Sequence, residues 1–279
     1  EFVFTADDGE TPVTYCYRPQ SGTLSDIEAE YGGRKFRPLR DGGFRFVTLA
    51  GEAIAPDDPA LTVRLLDTKT TSDSVTRQWQ WYHRGVPLAK TSLALGIHHR
   101  SLAIDLNSET GVVGEVVSGR AVGLGNPRLA AIPYWVLRGK NSGDPAVLQD
   151  GAMLMSVCAD LYLSQASELF GGSGLAEDQS AQLNGGARYL PKTDKTRNPA
   201  SERFYLTLSE HLAEVLPNIA NPPNPTLPLT ADGLWVTRMW YDKMPMPDYF
   251  DRAGDLLEQF HRYGMRNLMI RDHQTLGRQ

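Results

Sequence analysis

Five residues near the C-terminal end of the chain have types and positions suited to chemistry: Trp240, Asp242, Arg271, Asp272 and His273. A carboxylate accepts hydrogen bonds, a guanidinium donates them in a planar fork, an imidazole does either, and an indole offers a flat apolar face. Asp242 closes the apolar run 234–242 (LWVTRMWYD), and Arg271-Asp272-His273 follows directly on the run 267–270 (NLMI). If the two runs are neighbouring strands, their ends lie about 4.8 Å apart, and Asp242 and Asp272 are placed to face a common ligand. Trp240 or Tyr241 would then present a ring to it. The competing reading is that these polar groups cap loops or pair with one another. Two aspartates at two strand ends do not by themselves define a catalytic pair, so the catalytic residues are left unknown.

The other chemistry-bearing residues favour structural readings. His98 and His99 are adjacent on a predicted strand edge, so alternation sends their side chains to opposite faces, where they do not readily share a metal. His83, His211 and His261 have no Cys or His at ligand spacing. No metal and no cofactor is predicted. Gly171-Gly172-Ser173-Gly174 lacks the Lys-Ser/Thr of a phosphate cradle, and Gly123-Leu124-Gly125 lacks the remaining glycine spacing, so both read as turns. The basic run 34–40 (RKFRPLR) lies close in sequence to Asp26, Glu28 and Glu30 and reads as a solvated face. Residues 192–197 (KTDKTR), with Tyr189, form either a loop presented to a ligand or a plain exposed loop. Trp79, Trp81 and Trp135 sit in alternating apolar context and read as core before they read as ligand platforms. Cys16 and Cys158 read as buried thiols, with a disulfide between them as the alternative.

The elements that must carry these residues come in two styles. Up to about residue 225 the text is strand-like, with runs at 44–50, 61–67, 76–82, 91–95, 101–107, 112–118, 129–137, 153–163 and 203–208. Gly, Pro, Asp and Asn punctuate the gaps. Many short strands with regular turns predict a large antiparallel β-sandwich. Residues 218–229 (NIANPPNPTLPL) carry four prolines and read as a stiff connector. Beyond them, 249–263 (YFDRAGDLLEQFHRY) places Phe250, Ala253, Leu256, Leu257 and Phe260 at helical spacing, with Asp248 as N-cap and Gly264 as the stop. A helix between the runs 234–242 and 267–270 is a βαβ unit, which implies parallel pairing. Two parallel strands cannot cover both their faces, and a full (β/α)8 barrel takes about 250 residues. The expectation is a sandwich over 1–225, a linker ending at 226–232, and the truncated start of a barrel over 233–279.

Composition excludes other classes. The 279 residues hold 28 Lys+Arg against 33 Asp+Glu, a formal net charge of -5, without a basic block suited to phosphate neutralisation. No nucleic-acid partner is expected. No apolar run approaches the roughly 20 residues that span a bilayer. The chain opens at Glu1 with no signal-peptide apolar region, so a leader has been removed or the start is cut, and the expected location is secreted or periplasmic.

Several segments carry a resemblance. Residues 101–105 (SLAID), 123–134, 160–164 (DLYLS), 186–198 (GARYLPKTDKTRN), 214–217 (EVLP) and 263–273 (YGMRNLMIRDH) resemble glycoside hydrolases with a galactose-mutarotase-like N-terminal β-sandwich followed by a (β/α)8 barrel. Within that class they are most similar to the endo-α-N-acetylgalactosaminidase and α-N-acetylgalactosaminidase group. The resemblance implies a carbohydrate substrate and catalysis by a carboxylate pair, one acid protonating the leaving oxygen and one carboxylate attacking or activating water. It places those carboxylates on later barrel strands, so none is assigned here and the piece is expected to be inactive alone. It makes Asp242, Asp272, His273, Arg271 and Trp240 the substrate-binding candidates. Two alternatives stand beside it: a non-catalytic carbohydrate-binding or cell-surface module, and a polysaccharide lyase working through Tyr and His.

Overall fold

The computed structural model of the chain describes residues 1–6, 11–48, 50–132, 145–216, 235–239, 246–262 and 268–272. The chain divides into two compact units, Glu1–Ala220 and Asn221–Gln279.

The first unit opens with β1 (Phe2–Ala6), β2 (Val13–Tyr17), β3 (Ile27–Tyr31) and β4 (Arg34–Arg40), each antiparallel to the next. In β3 the sequence IEAEY alternates Ile27, Ala29 and Tyr31 inward with Glu28 and Glu30 outward. The basic run 34–40 is itself a strand, with Phe36 and Leu39 in the core. Its partner register shifts between the Arg120 and Val122 pairings, alongside Pro38. Proline has no amide hydrogen to give the ladder, and such positions coincide with bulges.

The chain then crosses to β5 (Gly43–Phe46) and runs through β6 (Leu61–Thr70), β7 (Ser74–His83), β8 (Val86–His98) and β9 (Ser101–Ser108). The last four form a second antiparallel meander of longer strands. Shorter pieces follow: β10 (Val113–Val117), β11 (Arg120–Val122), β12 (Arg128–Ala131), β13 (Ala146–Asp150) and β14 (Met153–Ala159). Next come β15 (Glu168–Phe170), β16 (Gly174–Leu175), β17 (Ala181–Gln182) and β18 (Gly186–Arg188). The long β19 (Ala200–Ser209) leads into the short helix α1 (Leu212–Val215).

Among the described residues the first unit forms three antiparallel sheets. A seven-stranded sheet has the order β1-β2-β3-β4-β11-β17-β16, a four-stranded sheet β15-β18-β10-β5, and an eight-stranded sheet β12-β13-β14-β19-β9-β8-β7-β6. One hydrophobic cluster serves all three: Tyr15, Tyr17 and Phe36 from the first, Phe44, Phe46 and Val116 from the second, Trp81, Leu95, Ile104 and Leu206 from the third. The architecture is mainly β and sandwich-like, as predicted. Chain crossings between the first two sheets demand glycine. Gly119, between β10 and β11, has φ +83, and a Cβ there would stand 2.5 Å from the Arg40 carbonyl oxygen and 2.6 Å from the Gly42 nitrogen.

The predicted strand 153–163 stops at Ala159, because Asp160 Oδ1 accepts from the Tyr162 amide at 3.0 Å and turns the chain. Of the predicted strand 129–137, residues 129–131 belong to β12, while the part from 133 on lies outside the described residues.

The second unit holds β20 (Trp235–Met239), α2 (Met246–Arg262) and β21 (Leu268–Asp272), with β20 and β21 parallel. Parallel pairing with an intervening helix is the predicted βαβ unit. The helix begins at Met246, so Asp248 lies in its first turn and is not the N-cap. Pro247 is tolerated there and an acidic residue suits the positive end of the helix. Ala253, Leu256 and Phe260 are half-buried at the expected spacing, while Leu257 is exposed.

Candidate functional site

The strand ends of the second unit place two of the five predicted residues. β21 runs on through Arg271 and Asp272, opposite Arg238 and Met239 of β20. They are the last two positions of the strand and do not lie beyond it, because the pairing with β20 continues to Met239. Asp272 thus stands at the C-terminal end of a parallel pair, the end at which parallel α/β sheets bind ligands. Trp240, Asp242 and His273, and with them Tyr241 and Trp135, lie outside the described residues.

In the first unit the structure assembles a cluster that sequence reading left scattered. On the eight-stranded sheet, Leu102, Ile104, Leu106, Phe204 and Leu206 point into the core, so Ala103, Asp105, Arg203 and Tyr205 occupy the opposite face. Arg203 and Asp105 are register partners across β19 and β9. Arg203 Nε donates to Asp105 Oδ1 at 2.6 Å and Nη2 to Oδ2 at 2.7 Å, a bidentate pair with each side chain about one-third exposed (34% and 32%). That pair, and a further hydrogen bond with Tyr205, hold the guanidinium firmly charged. The Tyr205 hydroxyl lies 3.4 Å from Asp160 Oδ2, and the tyrosine ring packs at 5.5 Å from the His98 ring.

His98 and His99 differ from expectation. Their rings meet edge to face at 4.6 Å. The reason is that His99 is no longer in the strand: it adopts φ +53 in the turn joining β8 to β9, which breaks the alternation. Sequence reading missed the cluster because its members come from β8, β9, β19 and the turn after β14. The one available signal was a carboxylate inside an apolar run, Asp105 in 101–107 and Asp160 in 153–163.

The remaining candidates resolve structurally. Tyr189 is buried, its hydroxyl donating to Glu202 and accepting from the Ser201 amide at 3.0 Å, so it does not face a ligand with the loop. Residues 192–197 close on themselves: Lys192 N–H donates to the Thr196 carbonyl at 2.7 Å and Asp194 accepts from Thr196 at 2.7 Å. Trp79 and Trp81 are core residues, and the Trp81 indole N–H donates to Thr91 Oγ1 at 3.0 Å. Both cysteines are free, and burial pushes the Cys158 thiol up to about 12. Arg34 of the basic run pairs with the buried Asp150 at 2.5 Å, and the amides of Gly125 and Asn126 also donate to that carboxylate. These donors outweigh burial and hold Asp150 below the usual carboxylate range. Among the described residues no group of three His, Cys, Asp or Glu is placed to hold a metal ion, and no helix is long and apolar enough to cross a membrane.

No protein-family model matches the chain, and no curated protein matches it in sequence. Solved structures do match. Three come from one glycoside hydrolase family 97 enzyme of Pseudoalteromonas sp. strain K8: an arginine-to-lysine variant, a complex with acarbose, and a glutamate-to-glutamine variant in complex with panose. The TM-scores are 0.55, 0.54 and 0.53 at 8%, 8% and 9% identity, over 96% of this chain. The chain spans 47% of the length of those chains. At such identity the likeness is one of fold. The matched structures are those of a family 97 enzyme.

Proposed function

We propose that the chain is the N-terminal part of a glycoside hydrolase acting on O-glycosidic bonds of an oligosaccharide, polysaccharide or glycoconjugate. The observation that carries this is the end-to-end fold match to a glycoside hydrolase of about twice the length, in which 96% of this chain is used and 47% of the other is covered. In this reading the galactose-mutarotase-like sandwich supports a (β/α)8 barrel whose first two strands are β20 and β21. The catalytic carboxylates come from later strands, one protonating the leaving oxygen and the other attacking the anomeric carbon or activating water. Asp272 accepts hydrogen bonds from sugar hydroxyls and Arg271 donates to them. Asp242, His273 and Trp240 complete the substrate contact from the same end of the barrel.

The test is to read the coding DNA beyond Gln279, produce the longer protein and assay it on α- and β-linked oligosaccharides. Hydrolysis, with kcat/KM lowered about tenfold or more in Asp272→Asn, is the expected result, since a lost hydrogen bond to a charged group is worth about 1.5–3 kcal/mol. An in-frame stop after Gln279 and no hydrolysis would overturn it and leave a non-catalytic module.

A further inference from the structure

The face of the eight-stranded sheet that carries Arg203 is unusual in its floor. A solvated sheet face ordinarily carries long polar side chains, yet here Arg203 and Tyr205 of β19 stand beside very small neighbours. Register runs from Arg203 through Asp105 to Ala94, and from Tyr205 through Ala103 to Gly96. Ser92, Ala94 and Gly96 of β8 are all half-buried. The larger side chains therefore rise along one edge of a shallow floor, and that edge offers two kinds of contact. The Arg203–Asp105 couple presents unused guanidinium N–H groups and carboxylate lone pairs side by side. Tyr205 and His98 present ring faces and edges within one side-chain length of it.

We propose that this face is a binding subsite for a neutral saccharide. Adjacent sugar hydroxyls each donate and accept, and an arginine–aspartate couple is the side-chain pair that answers both demands at once. The C–H face of a pyranose ring is apolar and matches the rings of Tyr205 and His98. Charge chooses the class of sugar. Arg203 is neutralised by Asp105, and Asp160 adds a further negative charge beside the Tyr205 hydroxyl. An anionic ligand, such as a phosphate ester or a uronate, meets like charge there. The site rests on residues of the first unit and is independent of the catalytic reading above.

Ligand-observed saturation-transfer NMR on the full chain tests it, with panose, cellotriose and galactobiose as neutral probes and trigalacturonate as the charged one. At least one neutral probe is expected to bind at millimolar concentration and trigalacturonate not to bind. Tyr205→Ala and Asp105→Asn should each weaken the response about tenfold. Ala94→Gln, which fills the floor beside Asp105, should abolish it while keeping the wild-type melting temperature. The last variant keeps the test decisive if Tyr205→Ala fails to fold. Absence of binding by every neutral probe, preference for trigalacturonate, or undiminished binding in Ala94→Gln would each overturn the proposal. Hydrolysis by the longer protein is a separate readout, so either idea can fail alone.

Discussion

Glu202 accepts hydrogen bonds from the Tyr189 hydroxyl and, at 2.9 Å, from Ser164, while its other oxygen, Oε2, has no hydrogen-bond partner among the described residues. It stands on the core-facing side of β19, and only 2% of it is exposed. Burial pushes its pKa above the ordinary carboxylate range, against the lowering effect of its hydrogen-bond donors. A carboxyl raised in the folded state holds its proton when the unfolded chain has already lost it. Its stabilising contribution is complete below the unfolded value of about 4.3 and is lost as pH rises towards the folded value. Glu202→Gln keeps an acceptor for Tyr189 and Ser164 and cannot ionise. Its unfolding free energy should gain on the wild type as pH is raised from about 4 to 7, read by urea titration at each pH. A difference that stays constant with pH would show that Glu202 titrates alike in the folded and unfolded chain. Asp105 and Arg203 were visible in the sequence as residues, but their pairing was not. Their partnership depends on a register between β9 and β19, strands 98 positions apart for this pair, and no local pattern encodes it.

At the scale of elements, the long strands were legible because alternation is strict in them. β9 reads SLAIDLNS and buries every second residue along its length. The strands β1 to β4 were not picked out, because each is a run of only five to seven residues. Trp79 and Trp81 were legible as core, while the bulge after Trp81 was not; there the register with β8 shifts between Trp81 and Tyr82, so that Gln80 is buried and donates to the Trp81 and Ala89 carbonyls at 3.0 Å. Trp81 also joins two sheets, its ring lying 4.9 Å from that of Phe46 on β5. Trp81→Ala should therefore cost about 3–5 kcal/mol, read as a lower urea midpoint. A loss under about 1 kcal/mol would mean that the two sheets do not depend on this contact.

The whole molecule is divided unevenly. The main hydrophobic cluster draws its buried members from Ala6 to Leu208, all within the first unit. Residues 1–216 on their own should therefore melt in a single cooperative transition, measured by calorimetry. A broad, non-cooperative melt would mean that the second unit is needed for the first to fold. The change of grammar near residue 220 was legible because prolines and a switch from period two to period 3.6 are both local signals. The site was less legible: strand ends can be named from sequence, but the ring-lined face of the sandwich emerges only when four separate segments are brought together.

The two thiols have a practical consequence. Cys158 is buried and its proton is held up to a value of about 12, so maleimides and iodoacetamides do not find a thiolate there near neutral pH. Cys16 lies on β2 with partial exposure, and burial raises its thiol as well. The wild-type chain is thus ready for single-position labelling, and a fluorophore on Cys16 would follow the tumbling of the sandwich by anisotropy without any engineered cysteine.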